Sequence, residues 1–365
     1  MTARPAVTAL FAGAALALAG CQSTMAGTKV GPAGMPMGVA NVPYSGVEPT
    51  RDNKAITDVL RAMNLRAYHT LTPVEARRQP LFGDGVKAVM QARGMSVAPP
   101  ADVTERTVSV PGPAGPLTAK LYTPAGVSGP LPLIVYFHGG GWVLASADAY
   151  AASTRALAKQ VGAAVLSVNY RLAPEAKFPA QHEDAFAAYQ WAVANAASLG
   201  ADGTRVALAG ESAGGNLAVA TAIRARDAGA TMPKAILSVY PIAGTDLNTL
   251  SYQENAQAYV LNRANMPWFL YHTLNSTAEA TDPRVNLVAA NLRGLPPVTL
   301  VQAQIDPLRT EGEMLADRLR ATGVTVNQRL FPNVTHEFFG AAAVMDEAKQ
   351  AQAFAAKALR EALAR

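Results

Sequence analysis

Short apolar runs alternate with helical stretches along most of the chain, and this alternation constrains the fold more than any other feature. Apolar runs of this length that end in glycine or turn residues are typical of strands buried on both faces. The predicted strands are Thr107–Val110, Leu117–Tyr122, Leu131–Phe137, Ala163–Val168, Arg205–Ala209, Ala235–Tyr240, Val298–Ala303 and Thr325–Phe331. The predicted helices are Tyr150–Val161, Ala180–Ala197, Ala213–Ala228, Leu308–Thr322 and Ala341–Leu363. The pattern predicts an α/β fold with a mostly parallel sheet and helices on both of its faces.

Two segments fall outside this alternation and are predicted to form a helical cap. Residues 51–95 contain helical patterns over 51–70 and 73–93, and the second pattern begins with Thr72 as its cap residue. Residues 244–290 form an insertion whose large side chains are Tyr252, Tyr259, Met266, Trp268, Phe269 and Tyr271. Ligands of open α/β sheets bind at the carboxyl ends of the strands, so we place the cap there. We expect most of these side chains to fill the cap and one or two to face the substrate.

The sequence Gly210-Glu211-Ser212-Ala213-Gly214 lies between a predicted strand and a predicted helix. A serine on such a turn is pushed clear of the backbone, and small flanking residues tolerate the crowded geometry. The N-terminus of the following helix also favours negative charge near the serine. The motif therefore predicts that Ser212 is a nucleophile. The alternative is a serine that only caps the helix.

A run of three glycines, in His138-Gly139-Gly140-Gly141-Trp142, follows the predicted strand Leu131–Phe137. Glycines let backbone N–H groups face a pocket without side chains in the way, as an acyl-transfer enzyme requires for its oxyanion. The predicted oxyanion hole consists of the N–H groups of Gly140, Gly141 and Ala213. The alternative is a glycine-rich turn that joins a strand to a helix. We predict that His138 braces this loop, because it precedes the nucleophile in the chain.

The general base and its acid are predicted after the last strands. His336 follows the final predicted strand, and Asp306 follows the strand that ends near Ile305. The chain order serine, aspartate, histidine is the order that α/β-hydrolases use. An aspartate is needed to hold the imidazole in the correct tautomer and to stabilise its cation. The alternatives are a helix-capping role for Asp306 and a surface-loop position for His336.

The first residues of the chain are predicted to be a targeting signal that is not part of the fold. An apolar run over 7–18 is too short to span a bilayer, and small residues lead from it to Cys21. This pattern resembles a bacterial lipoprotein signal peptide over residues 1–20, with lipidation at Cys21. The alternative is an ordinary secretory signal beside an unmodified cysteine. Residues 21–50 contain many glycines and prolines and are predicted to be a flexible tether; the alternative is an arm packed on the domain.

A lipid on Cys21 implies a location at the bacterial cell envelope. The next residue, Gln22, bears on the choice between the inner and the outer membrane. Gln22 stands where an aspartate would indicate retention at the inner membrane. The expected location in a Gram-negative cell is therefore the periplasmic face of the outer membrane. Lipid chains, rather than a transmembrane helix, would hold the protein there.

Composition argues against several other classes of protein. The net charge of +5 is spread along the chain and no basic tract contains interleaved aromatic residues, so nucleic acid is not an expected partner. Cys21 is the single cysteine, which excludes an internal disulfide and a cysteine-based metal site. The five histidines show no close ligand spacing. We therefore do not expect a metal site.

Several motifs occur together in a fixed order, and their combination is more specific than any one of them. They are His138–Trp142, Tyr170–Glu175, Gly210–Gly215, Leu295–Pro297, Asp306–Arg309 and the loop around His336. In these motifs the chain resembles the hormone-sensitive-lipase-like esterases, also called bacterial family IV lipolytic enzymes, from about residue 100 to the C-terminus. The resemblance implies an α/β-hydrolase fold with an eight-stranded sheet and a helical cap, and an enzyme without a cofactor.

The chain departs from the pattern of this family near the predicted site. Glu211 stands where the family often has aspartate, Thr310 where it usually has an acidic residue, and Glu337 where glycine is common. A carboxylate beside His336 would raise the pKa of the imidazole and move the pH optimum upward. None of these departures removes a residue of the predicted triad or oxyanion hole.

The predicted function is ester hydrolysis through an acyl-enzyme on Ser212, and the resemblance implies acyl chains of short to medium length. The predicted partner is a small acyl ester, with a membrane reached through Cys21. One alternative is a deacetylase or acyltransferase that acts on glycans or lipids of the cell envelope. Another is a surface-binding lipoprotein that keeps the fold without catalysis.

Overall fold

A computed structural model of the protein describes residues 46–127 and 129–364. The predicted signal peptide, Cys21 and the tether as far as residue 45 lie outside the described residues. Among the helices of the described ranges, none combines the length and the apolar character needed to cross a membrane.

The core is one eight-stranded sheet with the strand order β1-β2-β4-β3-β5-β6-β7-β8. The strands are β1 (Val103–Gly112), β2 (Gly115–Pro124), β3 (Leu131–Phe137), β4 (Ala164–Asn169), β5 (Ala201–Glu211), β6 (Ala235–Val239), β7 (Val298–Ile305) and β8 (Val326–Thr335). β2 pairs antiparallel with β1 and with β4, and all other pairs are parallel. The predicted mostly parallel sheet is confirmed. Its central strands are largely apolar and buried because helices cover both faces.

Helices on the two faces of the sheet bury two hydrophobic clusters. One face carries α4 (Ala151–Val161) and α10 (Asp346–Leu363), and the other carries α5 (Ala180–Ala194), α6 (Ala213–Asp227) and α9 (Arg309–Ala321). The closing helix begins at Asp346 rather than at the predicted Ala341, because residues 338–341 form a separate 3₁₀ turn. The right-handed crossovers between parallel strands require helices at these positions.

The N-terminal helical segment is more broken than the sequence predicts. It contains α1 (Arg51–Ala62), a 3₁₀ turn (Tyr68–Thr70), α2 (Pro73–Ala76) and α3 (Phe82–Ala92). Asn64 has a φ of +59°, which ends the first predicted helix early, and Pro80 interrupts the second because it lacks an N–H group. The helix start at Thr72 is confirmed, since Thr72 and Glu75 form a reciprocal capping box.

Residues 46–50 make hydrogen bonds to the end of β8, which precedes His336. The Thr50 N–H donates to the carbonyl of Asn333 at 2.7 Å, and the Asn333 side-chain amide donates to the carbonyl of Glu48 at 2.7 Å. Thr50 also caps α1 through its side chain. Glu48 and Thr50, which the sequence analysis assigned to the tether, therefore make hydrogen bonds with the domain.

The insertion over 244–290 contains α7 (Leu250–Glu254) and α8 (Asn265–Thr273) with two further 3₁₀ turns. Side chains of α3, α8 and the loops beside them line one cavity at the carboxyl ends of β3, β5 and β8. Trp268 of α8 donates its indole N–H to the carbonyl of Leu71 at 2.8 Å, which joins the insertion to the N-terminal segment. The two segments that were predicted to form a cap thus contact each other and line the same cavity.

An ion pair with a buried carboxylate fixes the loop after β4. Asp184 on α5 is fully buried and accepts hydrogen bonds from the backbone N–H of Arg171 at 2.9 Å and from its guanidinium at 2.7 Å. Arg77, beside α2, donates to Glu175 and to the carbonyls of Ala173 and Val143. These contacts connect the cap, the loop after β4 and the glycine-rich loop after β3.

We predict that Asp184→Ala lowers the free energy of unfolding by about 3 kcal/mol, because it leaves a guanidinium and a backbone N–H without their acceptor. Urea unfolding followed by circular dichroism measures the effect. Asp317→Ala is the matched control: its carboxylate is 80% exposed and pairs with Arg320, so we expect a change within about 0.5 kcal/mol. Equal effects of the two substitutions would contradict the structural role of the buried pair.

Candidate active site

Ser212 occupies a strained turn between β5 and α6. Its φ is +57° and its ψ is −118°, a conformation that non-glycine residues rarely adopt. The turn is held because the Ser212 N–H donates to the carbonyl of Val239 at 2.9 Å and its own carbonyl accepts from Ile242 at 3.2 Å. Its hydroxyl makes no hydrogen bond that caps α6, so the alternative role as a helix cap does not apply.

The glycines around Ser212 are required by close backbone contacts. A Cβ added at Gly214 would lie 1.9 Å from the carbonyl oxygen of Phe137, and one added at Gly210 would lie 2.2 Å from that of Gly214. Real side chains do not tolerate such distances. The turn therefore lies directly against the end of β3, next to the glycine-rich loop.

The structure brings Ser212, His336 and Asp306 together in one hydrogen-bonded chain. Nε2 of His336 lies 2.9 Å from Oγ of Ser212, and Nδ1 lies 2.7 Å from Oδ2 of Asp306. All three side chains are buried. The second carboxylate oxygen of Asp306 accepts from the N–H of Leu308 at 2.9 Å, so the aspartate also braces the turn before α9.

Helices of the cap hold the ends of β7 and β8 that carry Asp306 and His336. Asn53 of α1 accepts from the N–H of Thr335 at 2.7 Å, and its amide donates to the hydroxyl of Thr335 at 3.0 Å. Ser251 of α7 donates to the carbonyl of Pro307 at 2.6 Å. Thr310, one of the departures from the family pattern, donates to no carboxylate here but exchanges hydrogen bonds with Ser251.

The electrostatic environment favours the charged form of His336. Burial opposes that form, but the adjacent Asp306 carboxylate outweighs the burial, and the net effect raises the pKa of the imidazole. Glu337 and Glu211 contribute in the same direction. The ring of Tyr240 lies 4.5 Å from the imidazole, centroid to centroid, and covers it.

Two further carboxyl groups and three tyrosines surround the serine–histidine pair. Tyr136 and Tyr240 both donate to Glu211, and burial together with the nearby Glu337 raises the pKa of Glu211 to about 7. Tyr150 donates to both oxygens of Glu337, at 2.7 and 2.8 Å. Burial raises the pKa of Glu337, while His336 opposes that rise.

The sequence analysis did not single out these tyrosines. Tyr136 is near the end of β3 and Tyr240 follows β6, and both strands are neighbours of β5 in the sheet. Side chains at the carboxyl ends of adjacent parallel strands meet at one edge of the sheet. The positions of Tyr136 and Tyr240 at the ends of the strands beside β5 could therefore have indicated that they meet Glu211. Tyr150, at the start of α4, carried no comparable signal.

The glycine-rich loop presents backbone N–H groups beside Ser212. Gly140 and Gly141 have φ values of +97° and +58°, and both line the cavity. A Cβ at Gly141 would lie 2.1 Å from the ring of Phe269. In the described chain, the N–H groups of Gly140, Gly141 and Ala213 donate none of the backbone hydrogen bonds that join loops and turns. The N–H groups of Gly140 and Gly141 thus belong to residues that line the cavity and donate to no backbone carbonyl of the described loops and turns.

His138 has the bracing role that its chain position predicts. Its Nδ1 lies 2.7 Å from the carbonyl oxygen of Gly139, and its ring stacks on Tyr170 with centroids 4.3 Å apart. The Tyr170 hydroxyl in turn donates to the carbonyl of His138 at 2.9 Å. Burial lowers the pKa of His138 to about 4, so this imidazole stays neutral.

The cavity above Ser212 measures about 80 Å³. Met266 and Phe269 are among the large side chains of the insertion and line this cavity. Tyr68 of the N-terminal segment lines it as well. The described lining residues include no lysine or arginine. Within residues 46–127 and 129–364, no group of three or more His, Cys, Asp or Glu side chains could hold a metal ion.

Comparison with known proteins shows the family to which the chain belongs. The model of an α/β-hydrolase-fold family matches residues 134–340, and the chain belongs to that family. Its sequence is 38% identical to carboxylesterase NlhH of Mycobacterium tuberculosis over 271 residues, which are 72% of this chain and 83% of that protein. It is 32% identical to ethyl acetate hydrolase of Pseudomonas putida over 232 residues, 63% of this chain and 73% of that protein.

Solved structures agree with this assignment. An esterase from Pyrobaculum calidifontis superimposes with a TM-score of 0.75 at 33% identity, over 83% of this chain and 97% of that one. The protein is a carboxylic ester hydrolase of the serine type with the α/β-hydrolase fold. The predicted resemblance to the hormone-sensitive-lipase-like esterases is confirmed at the level of an α/β-hydrolase esterase.

Proposed function

We propose that the enzyme hydrolyses short- to medium-chain acyl esters with Ser212 as nucleophile, His336 as general base and Asp306 as the acid that orients it. The hydrogen-bonded chain from Ser212 through His336 to Asp306 carries this proposal. The Nδ1–H of His336 donates to Asp306, so the lone pair of Nε2 is available to the Ser212 hydroxyl. The positions of the hydrogens follow from these partners.

In the acylation step, Oγ of Ser212 attacks the ester carbonyl carbon while its proton moves to Nε2 of His336. Collapse of the tetrahedral intermediate breaks the bond to the alcohol oxygen, which leaves with the proton from Nε2. Water then attacks the acyl-enzyme in the same way, and the carboxylic acid is released. Asp306 remains ionised and stabilises the imidazolium at each stage.

The oxyanion of both tetrahedral intermediates is assigned to the N–H groups of Gly140, Gly141 and Ala213. The two glycines line the cavity, and Ala213 is the first residue of α6, directly after Ser212. Donors that are fixed before the reaction stabilise the developing charge without reorganisation, and the N-terminus of α6 adds to this effect.

The size and lining of the cavity support acyl groups at the short end of this range. The cavity measures about 80 Å³, and apolar residues form most of its lining. The contact between Gly141 and Phe269 leaves no room to widen the cavity at that side. The relative from Pseudomonas putida is named for the hydrolysis of ethyl acetate, an ester of this size.

We also propose that the enzyme is a lipoprotein held at the bacterial cell envelope by acyl chains on Cys21. Support comes from the apolar run over 7–18, the small residues before Cys21 and the absence of any other cysteine. Gln22 in place of aspartate supports the periplasmic face of the outer membrane in a Gram-negative cell. Stable anchoring to a membrane takes more than one acyl chain, as a lipoprotein supplies.

The first prediction concerns p-nitrophenyl esters from acetate to palmitate. We expect hydrolysis by residues 22–365 to be fastest with short chains, because the cavity is small, and Ser212→Ala to reduce kcat at least about a thousandfold. Ser198→Ala, at an exposed serine that does not line the cavity, is the matched control and should retain full activity. An intact fold without activity on any chain would favour a specialised acyl substrate of the envelope.

A second prediction concerns the pH profile of Glu337→Gln. His336 acts as a base when it is neutral, and the Glu337 carboxylate helps to raise its pKa. Without that charge, the imidazole loses its proton at lower pH, so the acid limb of kcat/KM should move to lower pH. The remote substitution Asp317→Asn should leave the limb in place. An unchanged limb in Glu337→Gln would show that this carboxylate does not influence the base.

A third prediction tests the anchor. In a Gram-negative host fed an alkyne-labelled fatty acid, the full-length chain should incorporate the label and sediment with the outer membrane, whereas Cys21→Ser should do neither. Gln22→Asp is the matched control, which should keep the label but move to the inner membrane. A wild-type chain that is secreted without label would overturn the lipoprotein proposal and favour an ordinary signal peptide.

A further inference from the structure

Glu337 places a carboxylate oxygen next to the atom that must move protons. Its Oε1 lies 3.9 Å from Nε2 of His336, and the same Nε2 lies 2.9 Å from Oγ of Ser212. The side chain lines the cavity and remains 20% exposed. Tyr150 donates to both of its oxygens and so fixes the direction of the carboxylate.

The backbone at this position is unfavourable for a residue with a side chain. Glu337 has a φ of +72°, a left-handed conformation that glycine adopts freely and that other residues adopt at a cost. A glycine would satisfy this turn without strain. The chain instead carries a long acidic side chain that is directed into the site, and strained residues of this kind concentrate where they serve a function.

We propose that Glu337 is a positioning residue for the water that hydrolyses the acyl-enzyme. The inference rests on the proposed function, because it requires an acyl group on Ser212. Two acceptors 3.9 Å apart can both be reached by one water molecule at hydrogen-bond distances of about 2.8 Å. One hydrogen of the water points to Nε2 of His336 and the other to Oε1 of Glu337.

Deacylation transfers the acyl group from Ser212 to water. The water oxygen forms a bond to the acyl carbon while its first proton moves to Nε2 of His336. The second hydrogen remains on the water oxygen and donates to Glu337, which gains no proton. When the intermediate collapses, the bond from carbon to Oγ of Ser212 breaks, the proton on Nε2 returns to Oγ, and the carboxylic acid leaves.

With this arrangement, Glu337 distinguishes water from an alcohol as the nucleophile that attacks the acyl-enzyme. An alcohol has one hydroxyl hydrogen, which it must give to Nε2, so nothing remains to donate to Glu337. Water has two hydrogens and gains the additional hydrogen bond. Glu337 would therefore favour hydrolysis over transfer of the acyl group to an alcohol, with the same base serving both reactions.

The test is the competition between water and methanol for the acyl-enzyme. The enzyme is incubated with p-nitrophenyl butyrate and a fixed methanol concentration, and methyl butyrate and butyric acid are quantified by gas chromatography. We expect Glu337→Gly to raise the ratio of ester to acid about fivefold to tenfold, the value of one lost hydrogen bond. It should also produce a burst of p-nitrophenol, because deacylation becomes slower than acylation.

Glu337→Gln is the matched variant, since it removes the charge but keeps a carbonyl oxygen that accepts from water and from Tyr150. Its product ratio should stay within about twofold of the wild type, although its pH profile shifts. The product ratio does not depend on how much His336 is neutral, because both nucleophiles use the same base. A change of charge alone therefore cannot imitate the expected result.

Two outcomes would overturn the inference: an unchanged product ratio in Glu337→Gly, or an equal rise in Glu337→Gln and Glu337→Gly. Glu337→Gly is expected to fold, because glycine relaxes the backbone at this position, and a thermal unfolding curve verifies this. Failure of the proposed function has a different signature. In that case Ser212→Ala would retain the wild-type hydrolysis rate and the wild type would form no acyl-enzyme.

Discussion

The structure depends on the close contact between the Ser212 turn and the end of β3. Gly214 lies so near the backbone of Phe137 and His138 that no side chain fits between them. This contact places the serine, the first turn of α6 and the glycine-rich loop within one small volume. Because the contact is between backbones, it fixes the positions of N–H groups that side-chain rotations could not hold as firmly.

The remaining members of the site are brought to this point by the sheet and stabilised by the cap. β7 and β8 run parallel to β5, with β6 between β5 and β7, and deliver Asp306 and His336 to the same edge of the sheet. Asn53 and Ser251, from the two cap segments, hydrogen bond to the ends of these strands. The cap therefore has two effects: it encloses the cavity, and it fixes the loops that carry the base and the acid.

The buried acidic groups near the site are costly, and their partners explain how they are accommodated. Glu211 is enclosed by the hydroxyls of Tyr136 and Tyr240, and Glu337 accepts from Tyr150. A buried carboxyl group is tolerated when hydrogen bonds replace its hydration. The effect of these groups on His336 is electrostatic, since they favour a positive charge on the imidazole during the reaction.

The sequence by itself determined the fold class, the succession of strands and helices along the chain, and the identity of Ser212, Asp306 and His336, but not of the three tyrosines around them. Periodicity and glycine positions are local properties, so they could be read without a structure. Tertiary structure alone decided that Phe269 closes one side of the cavity. It also decided that Tyr150 directs Glu337 toward Nε2 of His336. These features depend on contacts between segments far apart in the chain, and a local pattern contains no information about which distant surface will cover it.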